Sequence, residues 1–443
     1  MSTPPAADGN FLPDVRAQYE ALPYPPVDPE DDRKRLARTW LDDLPMINHY
    51  CFAGRQRFDG GFRVLVAGGG TGDASIFLAE QLRDTDARIV HLDLSEASIA
   101  IAQRRAQIRG LDNITWLRES LLDLPTLGLE PFDYINCCGV LHHLADPDAG
   151  LRALRAVLKP DGAMGLMVYG QIGRTGVYQM QSLLRLASEP EEGIPARIDL
   201  AKHMLAGLPE TNWFRRGDDL YNDHERGDAG IYDLLLHSQD RAYTVGELFD
   251  WLAQGHGLHL EFSDVHRGRA PYLPHLMLAP QQVQLAGRLR ALPRRRQAEI
   301  AELIGGALTR HLFYATPGPA CTAPYGDADY VPFFFHDVLN GGMLADIFEA
   351  GKKGQPVMLQ HAPSRTLAQV DAGKYASRVL RQIDGKRCFG EIFERVRKSL
   401  PSYADMPDDA LLFADFRDTF DALNAIDRML LRHRDVPVMR APG

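Results

Sequence analysis

The chain has 443 residues, enough for two or three domains at about 150 residues each, with apolar residues at 45% and charged residues at 24%. That composition excludes wholesale disorder and a disulfide-held miniprotein. A net charge of −10, from 49 basic and 59 acidic residues, argues against a nucleic-acid-binding surface.

Cys51, Cys137, Cys138, Cys321 and Cys388 are odd in number and lack CxxC spacing, so neither a disulfide framework nor a cysteine-built zinc site is expected. A reducing cytoplasm fits this. The opening MSTPPAADGN lacks a charged-then-apolar signal pattern, and no apolar run reaches the roughly 18 residues of a membrane span, so no membrane association is expected.

Residues 1–55, centred on LPYPPVDPEDD, read as an extended N-terminal arm with one or two helices. A regular alternation follows. Strands are expected at 62–68, 88–94, 114–120, 132–139 and 163–170, with helices at 72–83, 96–110 and 148–158 between them. Short, continuously apolar strands separated by helices predict a doubly wound, parallel α/β sheet covered on both faces. The regularity stops at Gly170 and resumes near Thr244, which with Glu247 forms a capping-box pattern before a helix and a strand at 258–265. Residues 171–242 are therefore expected to be an insertion over the carboxyl ends of the strands, a lid or substrate pocket within a domain spanning 56–280. Residues 281–443 are expected to form a separate, mainly helical domain. Its start carries Arg288, Arg290, Arg294, Arg295 and Arg296, which read as a solvated helix face.

The segment VLVAGGGTGDASIFLAEQL carries the most information, because a strand runs through Gly68, Gly70 and Gly72 directly into a helix. Glycines there let the backbone bend tightly and approach a ligand. A dinucleotide loop counted from Gly68 would place Asp73 against the pyrophosphate, and counted from Gly70 it would place Ser75 there, so a cofactor without phosphate suits this loop better. The next strand ends at Asp93, where a carboxylate can accept both hydroxyls of a ribose, although an acid there could also cap the following helix.

These residues, in this order, resemble the class I S-adenosylmethionine-dependent methyltransferases. VLVAGGGTG matches the first motif and LDLS the second, followed by RESLLDLP, FDYINCCGVLHHLADP and LKPDGAMGLMVYG. The resemblance covers about 60–170 and implies a Rossmann-like fold. It implies S-adenosylmethionine as cofactor, S-adenosylhomocysteine as product, and a cofactor site of Gly68, Gly70, Thr71, Gly72, Asp73, Asp93, Leu94, Ser120, Leu121, Cys138 and Gly139. Two departures stand out. The family's acid before the first glycine is read here as Ala67, and its adenine-side acid as Ser120, so backbone carbonyls near Gly68 and Cys138 are the expected ammonium ligands.

Methyl transfer from a sulfonium needs a placed nucleophile and a dry site, with a base only where the nucleophile arrives protonated. His142 and His143 follow the fourth strand; His142 is the first choice for a base, against a plain role in the pocket wall. Asp233 and His237, four apart, would share a helical face and line the pocket with Tyr232 and Asp240, or hold a divalent metal with either histidine; no metal is expected. Tyr169 ends the fifth strand at the rim, and Tyr19 and Tyr24 could close over the cofactor.

The C-terminal region has a likeness to small winged-helix domains, but Asp415, Asp418, Asp421 and Asp427 argue for an interaction module, a homodimer contact among them. The three-part plan looks like that of bacterial protein-lysine methyltransferases, whereas VLHHLADP is more typical of small-molecule enzymes. The expected activity is in-line methyl transfer to an O, N or S nucleophile on a small molecule or protein side chain. The alternatives are a cofactor-binding regulatory protein without turnover and a nicotinamide-dependent oxidoreductase.

Overall fold

The computed structural model describes residues 18–189, 191–264, 268–279, 281–335, 340–351, 357–361, 366–370, 373–401 and 406–439. The first part of the N-terminal arm and Val265 of the expected strand lie outside them.

Five apolar runs form β1 (Arg63–Ala67), β2 (Arg88–Asp93), β3 (Ile114–Arg118), β4 (Phe132–Cys138) and β5 (Leu158–Gly170). With β6 (Ala242–Tyr243), β7 (His259–Ser263) and β8 (Arg310–Thr316) they build an eight-stranded sheet in the order β3-β2-β1-β4-β5-β8-β7, with β6 on β5. Pairing is parallel from β3 through to β5, and β8 runs antiparallel to both β5 and β7. Alternate residues enter opposite cores: Leu65 and Ala67 pack on one face with Ile135 and Phe313, Val64 and Val66 on the other with Ile89 and Tyr134. The strand order reverses between β1 and β4, which opens a crevice at their carboxyl ends.

The expected boundary at 281 is corrected by β8, which sits inside the sheet. The helices Val283–Arg290 and Arg294–Gly305 lead into it rather than into a separate unit: Ala298 and Leu308 belong to the sheet's core, and Glu302 accepts the backbone N–H of Val245 at 2.9 Å. Of the arginines, Arg294 pairs with Glu261, and Arg295 with Asp250 at 2.6 Å and, on its own helix, Glu299 at 2.8 Å. Their composition suggested a boundary, but Arg294 and Arg295 fasten the second of these helices to the core.

Beyond Thr316 the helices Gly341–Ala350, Ala376–Gln382, Phe389–Lys398 and Asp409–Ala425 form a second core, accompanied by two small antiparallel sheets. These pair β9 (Tyr330–Phe334) with β12 (Met429–His433), and β10 (Val357–His361) with β11 (Thr366–Val370). The buried helix Leu44–Cys51 joins this region to the sheet: His49 bonds to Leu431, and Tyr50 donates to Asp427, which also accepts from Ser263 at 2.9 Å. The second half of the N-terminal arm is thus an internal element. Among the described residues no helix is long and apolar enough to cross a membrane.

Residues 18–43 fold across the carboxyl ends of the strands and are fastened by buried charge. Arg105 bonds to Asp32 at 2.5 Å, to Asp73 at 2.7 Å and to the Thr71 carbonyl at 2.9 Å, and Arg109 shares Asp32 at 2.9 Å. Replacing Arg105 by methionine leaves Asp32 one partner and frees the Thr71 carbonyl, so it is expected to cost about 2 kcal/mol in urea unfolding. An unchanged midpoint would mean that the network adds nothing to folding.

Candidate active site

A cavity of about 640 Å³ lies over the carboxyl ends of β1, β2 and β4. Its size is within the usual range for a small-molecule site, and its walls come from the glycine loop, the strand ends, residues 19–42 and the insertion. Asp93 closes one side. Its Oδ2 accepts from Gly70 N–H at 2.7 Å and its Oδ1 from Ser95 N–H at 2.9 Å, which leaves lone pairs for two ribose hydroxyls. Ser95 supplies the helix cap by accepting from Ser98 N–H at 3.1 Å, so capping does not require Asp93. Asp93→Asn is expected to weaken S-adenosylhomocysteine binding about tenfold in calorimetry; unchanged affinity would take the ribose away from Asp93.

Gly68, Gly70, Asp73, Leu94, Ser120, Leu121, Cys138 and Gly139 line the cavity. Thr71 and Gly72 do not. The Thr71 hydroxyl donates to the Pro25 carbonyl at 2.8 Å, and Gly72 (φ +103°) turns against Ala102, where a Cβ would sit 2.7 Å from the Ala102 Cβ. At Gly70 (φ +51°) a Cβ would meet the Tyr24 carbonyl at 2.7 Å, so the glycines admit the N-terminal segment as well as a ligand. Asp73 pairs with Arg105, and Ser120 accepts from Leu122 N–H at 3.2 Å, which caps the turn that carries Leu121. The residues therefore fit an adenosyl group: a carboxylate for the sugar, apolar walls at Leu94, Leu121 and Val140, and backbone bare of side chains at Gly68 and Gly139.

The other end of the cavity is polar and aromatic. Asp233 accepts from the hydroxyls of Tyr19 at 3.1 Å and Tyr169 at 3.4 Å. Burial holds its carboxyl above the usual range. Arg174, the guanidinium that bears on it, lies 3.6 Å from the Tyr169 ring centroid and is bridged to Asp240 at 3.2 Å. Asp240 also accepts from Tyr178 and Gln181, so it fixes Arg174 rather than lining the pocket. Among the described residues Asp233 has no ion-pair partner of its own.

The two adjacent histidines divide differently from expectation. His142, within the 3-10 turn Leu141–His143, is sealed, with both ring nitrogens unpartnered and its ring 3.8 Å from that of Tyr169. It does not line the cavity, and burial lowers its pKa well below the ordinary value. A base at His142 would have no access to the cavity in this arrangement. His143 does line the cavity.

Gln239 sets the tautomers of His143 and His237, whose rings stack at 3.8 Å. Its carbonyl accepts from His143 Nδ1 at 2.8 Å, and its N–H donates to His237 Nδ1 at 3.1 Å. Burial holds the two pKa values down to about 4 and about 3, so both rings are neutral at pH 7. Neutral His143 then presents a bare Nε2, while neutral His237 carries its proton on Nε2. His143, Asp233 and His237 bring one nitrogen or oxygen each within 4.8 Å of one another, a metal-like cluster. The tautomers leave only His143 and Asp233 with lone pairs to offer, which fits a divalent ion poorly.

Asp233 and His237 do not share a regular helical face. The helix Gly227–Ile231 widens into a π-helical turn at Tyr232–Leu236 and ends at His237, behind the cavity wall. Tyr24 lines the cavity and donates to Asp223 at 3.0 Å.

Residues 65–164 match the model of a family described as a methyltransferase domain. An uncharacterized protein of Synechococcus sp. is 31% identical over 364 residues, 81% of this chain and 84% of that one. The tRNA 5-carboxymethoxyuridine methyltransferase of Escherichia coli is 35% identical over 112 residues, 25% of this chain and 41% of that enzyme's length. Among solved structures, PKMT2 from Rickettsia typhi in complex with AdoHcy superposes with a TM-score of 0.57 at 15% identity, covering 89% of this chain and 76% of that one.

Proposed function

Since the chain belongs to the class I S-adenosylmethionine-dependent methyltransferases, we propose that its acceptor is a primary amine, seated among Tyr19, His143, Tyr169 and Asp233. The cofactor supplies an electrophilic methyl group on a sulfonium. The amine nitrogen attacks in its neutral form, the nitrogen–carbon bond forms as the carbon–sulfur bond breaks, and positive charge moves from sulfur to nitrogen.

Asp233 carries this reading. A buried carboxylate without a cation partner stabilises charge that appears on nitrogen during transfer. The same carboxylate would repel a phenolate or thiolate nucleophile. The bare Nε2 of His143 accepts an amine hydrogen and so points the nitrogen lone pair; with a pKa of about 4 it orients the nucleophile rather than storing its proton. Tyr19 and the insertion cover the acceptor end and exclude water.

The test uses S-adenosylmethionine with a labelled methyl group and four probes: N-acetyl-lysine amide, n-butylamine, p-nitrophenol and thiophenol. Label in the amines supports the reading. Label confined to the phenol or the thiol overturns it.

A further inference from the structure

The amino-acid end of the cofactor has no acid on β1. Ala67 turns into the core on the far side of the sheet, and the residue of that strand end that lines the cavity is Val66. Beside Val66 in register stands Asn136 of β4, whose Nδ2 donates to Asp42 Oδ1 at 2.7 Å. Asp42 ends the short turn Trp40–Asp42 just before the buried helix Leu44–Cys51; it lines the cavity and is 1% exposed. Among the described residues no cation is bridged to it, and its neighbour Asp43 pairs with Arg38 at 2.8 Å. A carboxylate so buried without counter-charge is costly, and burial pushes its pKa up to about 7.

We infer that Asp42, oriented by Asn136, is the counter-ion of the cofactor's α-ammonium, an acid delivered by the N-terminal segment to the place left apolar by Val66. The carboxylate is held by Asn136, with the Thr39 hydroxyl beside it, and with about four lone-pair sites it keeps acceptor capacity for an N–H of the ammonium. Arg310 lines the same cavity and gives it positive charge for the cofactor's carboxylate. The segment that covers the site thereby takes part in binding, so an incoming cofactor would fasten its own cover.

The inference rests on the cofactor assignment, and calorimetry separates the two. Full-length protein and its Asp42→Asn variant are titrated with S-adenosylhomocysteine, with the analogue that lacks the amino group, and with 5′-methylthioadenosine, which lacks the whole amino-acid end. The unaltered protein is expected to prefer S-adenosylhomocysteine over the desamino analogue by about ten- to a hundredfold, and Asp42→Asn to abolish that preference while binding 5′-methylthioadenosine as before. No binding of S-adenosylhomocysteine to the unaltered protein would defeat the cofactor assignment. Binding with the preference intact in Asp42→Asn, or equal loss for all three compounds, would overturn Asp42 alone. Asp42→Ser, which keeps an acceptor for Asn136, serves if the amide variant does not fold. The double variant Val66→Asp/Asp42→Asn, which moves the acid to β1, is expected to restore the preference, and failure to do so counts against a shared ammonium position.

Discussion

Replacing Asp233 by asparagine is expected to lower kcat for amine methylation by about 10²- to 10³-fold, the scale of removing one preorganised charge from a transition state. The amide keeps the shape of the group and one acceptor oxygen, enough for Tyr19 or Tyr169 but not both, since they donate to different carboxylate oxygens; the other hydroxyl can turn to accept from the amide N–H. What disappears is the negative charge facing the nitrogen. In the ground state that nitrogen is a neutral amine and gains little from a carboxylate, whereas at the transition state it carries part of a positive charge. The loss should therefore fall on kcat more than on KM. Asp233 is at the acceptor end, so calorimetry with S-adenosylhomocysteine should be unmoved. If kcat and KM change together, or cofactor affinity falls with them, Asp233 is a wall residue, and the charge argument for nitrogen over oxygen fails with it.

The cofactor end of this site was readable because local backbone geometry and one chemical need coincide within a short stretch. Gly68 and Gly70 occupy a bend where side chains collide, and Asp93 follows at the end of the next strand; both requirements are met by neighbours in sequence. Thr71 and Gly72 belong to the same pattern, yet they face Pro25 and Ala102, because a loop motif records where the backbone turns and not which side each residue takes. Asp42 carried no signal at all. It precedes the glycine loop by a whole helix and a strand, and its neighbour Asn136 is 94 positions away.

The acceptor end failed for a related reason. His142 and His143 are indistinguishable as a dipeptide, and which one reaches the cavity depends on a 3-10 turn and on the backbone of Gln239, 96 residues later. The spacing of Asp233 and His237 suggested one α-helical face, but the helix widens into a π-helical turn, and the pair meets His143 only through the tertiary fold. The place of β8 was hidden too. An arginine-rich helix is solvated in most contexts, and here Glu261 and Asp250 draw Arg294 and Arg295 onto the sheet domain. A truncation at residue 283 would therefore remove an interior strand, the partner of both β5 and β7, along with Arg310 and Leu312 from the cavity wall. It is not a neutral deletion.

At saturating cofactor, kcat/KM for an amine acceptor is expected to rise about tenfold per pH unit from about pH 7 to about pH 9, a hundredfold in all, because only the neutral fraction of an amine with a pKa near 10.4 attacks. The sign follows from proton counting. With the proton released to solvent, free acceptor carries one proton more than the reactive complex, so each unit of pH below the amine's own pKa lowers the reactive fraction tenfold. The acceptor end adds no opposing limb in that range. Burial holds His143 at about 4 and His237 at about 3, so both stay neutral, and it raises the tyrosine hydroxyls of Tyr19 and Tyr169 well above 10, so both stay protonated. Asp233, raised by burial and then by Asp223, can only lose a proton as pH rises and so adds no falling limb, and Arg174 opposite it remains charged and tied to Asp240. A histidine acting as general base near its ordinary pKa would instead give an inflection near 6.5 followed by a plateau. Such a plateau from about pH 7 to about pH 9 would reject both the neutral-amine acceptor and the orienting role of His143, and would return the search to nucleophiles that ionise lower.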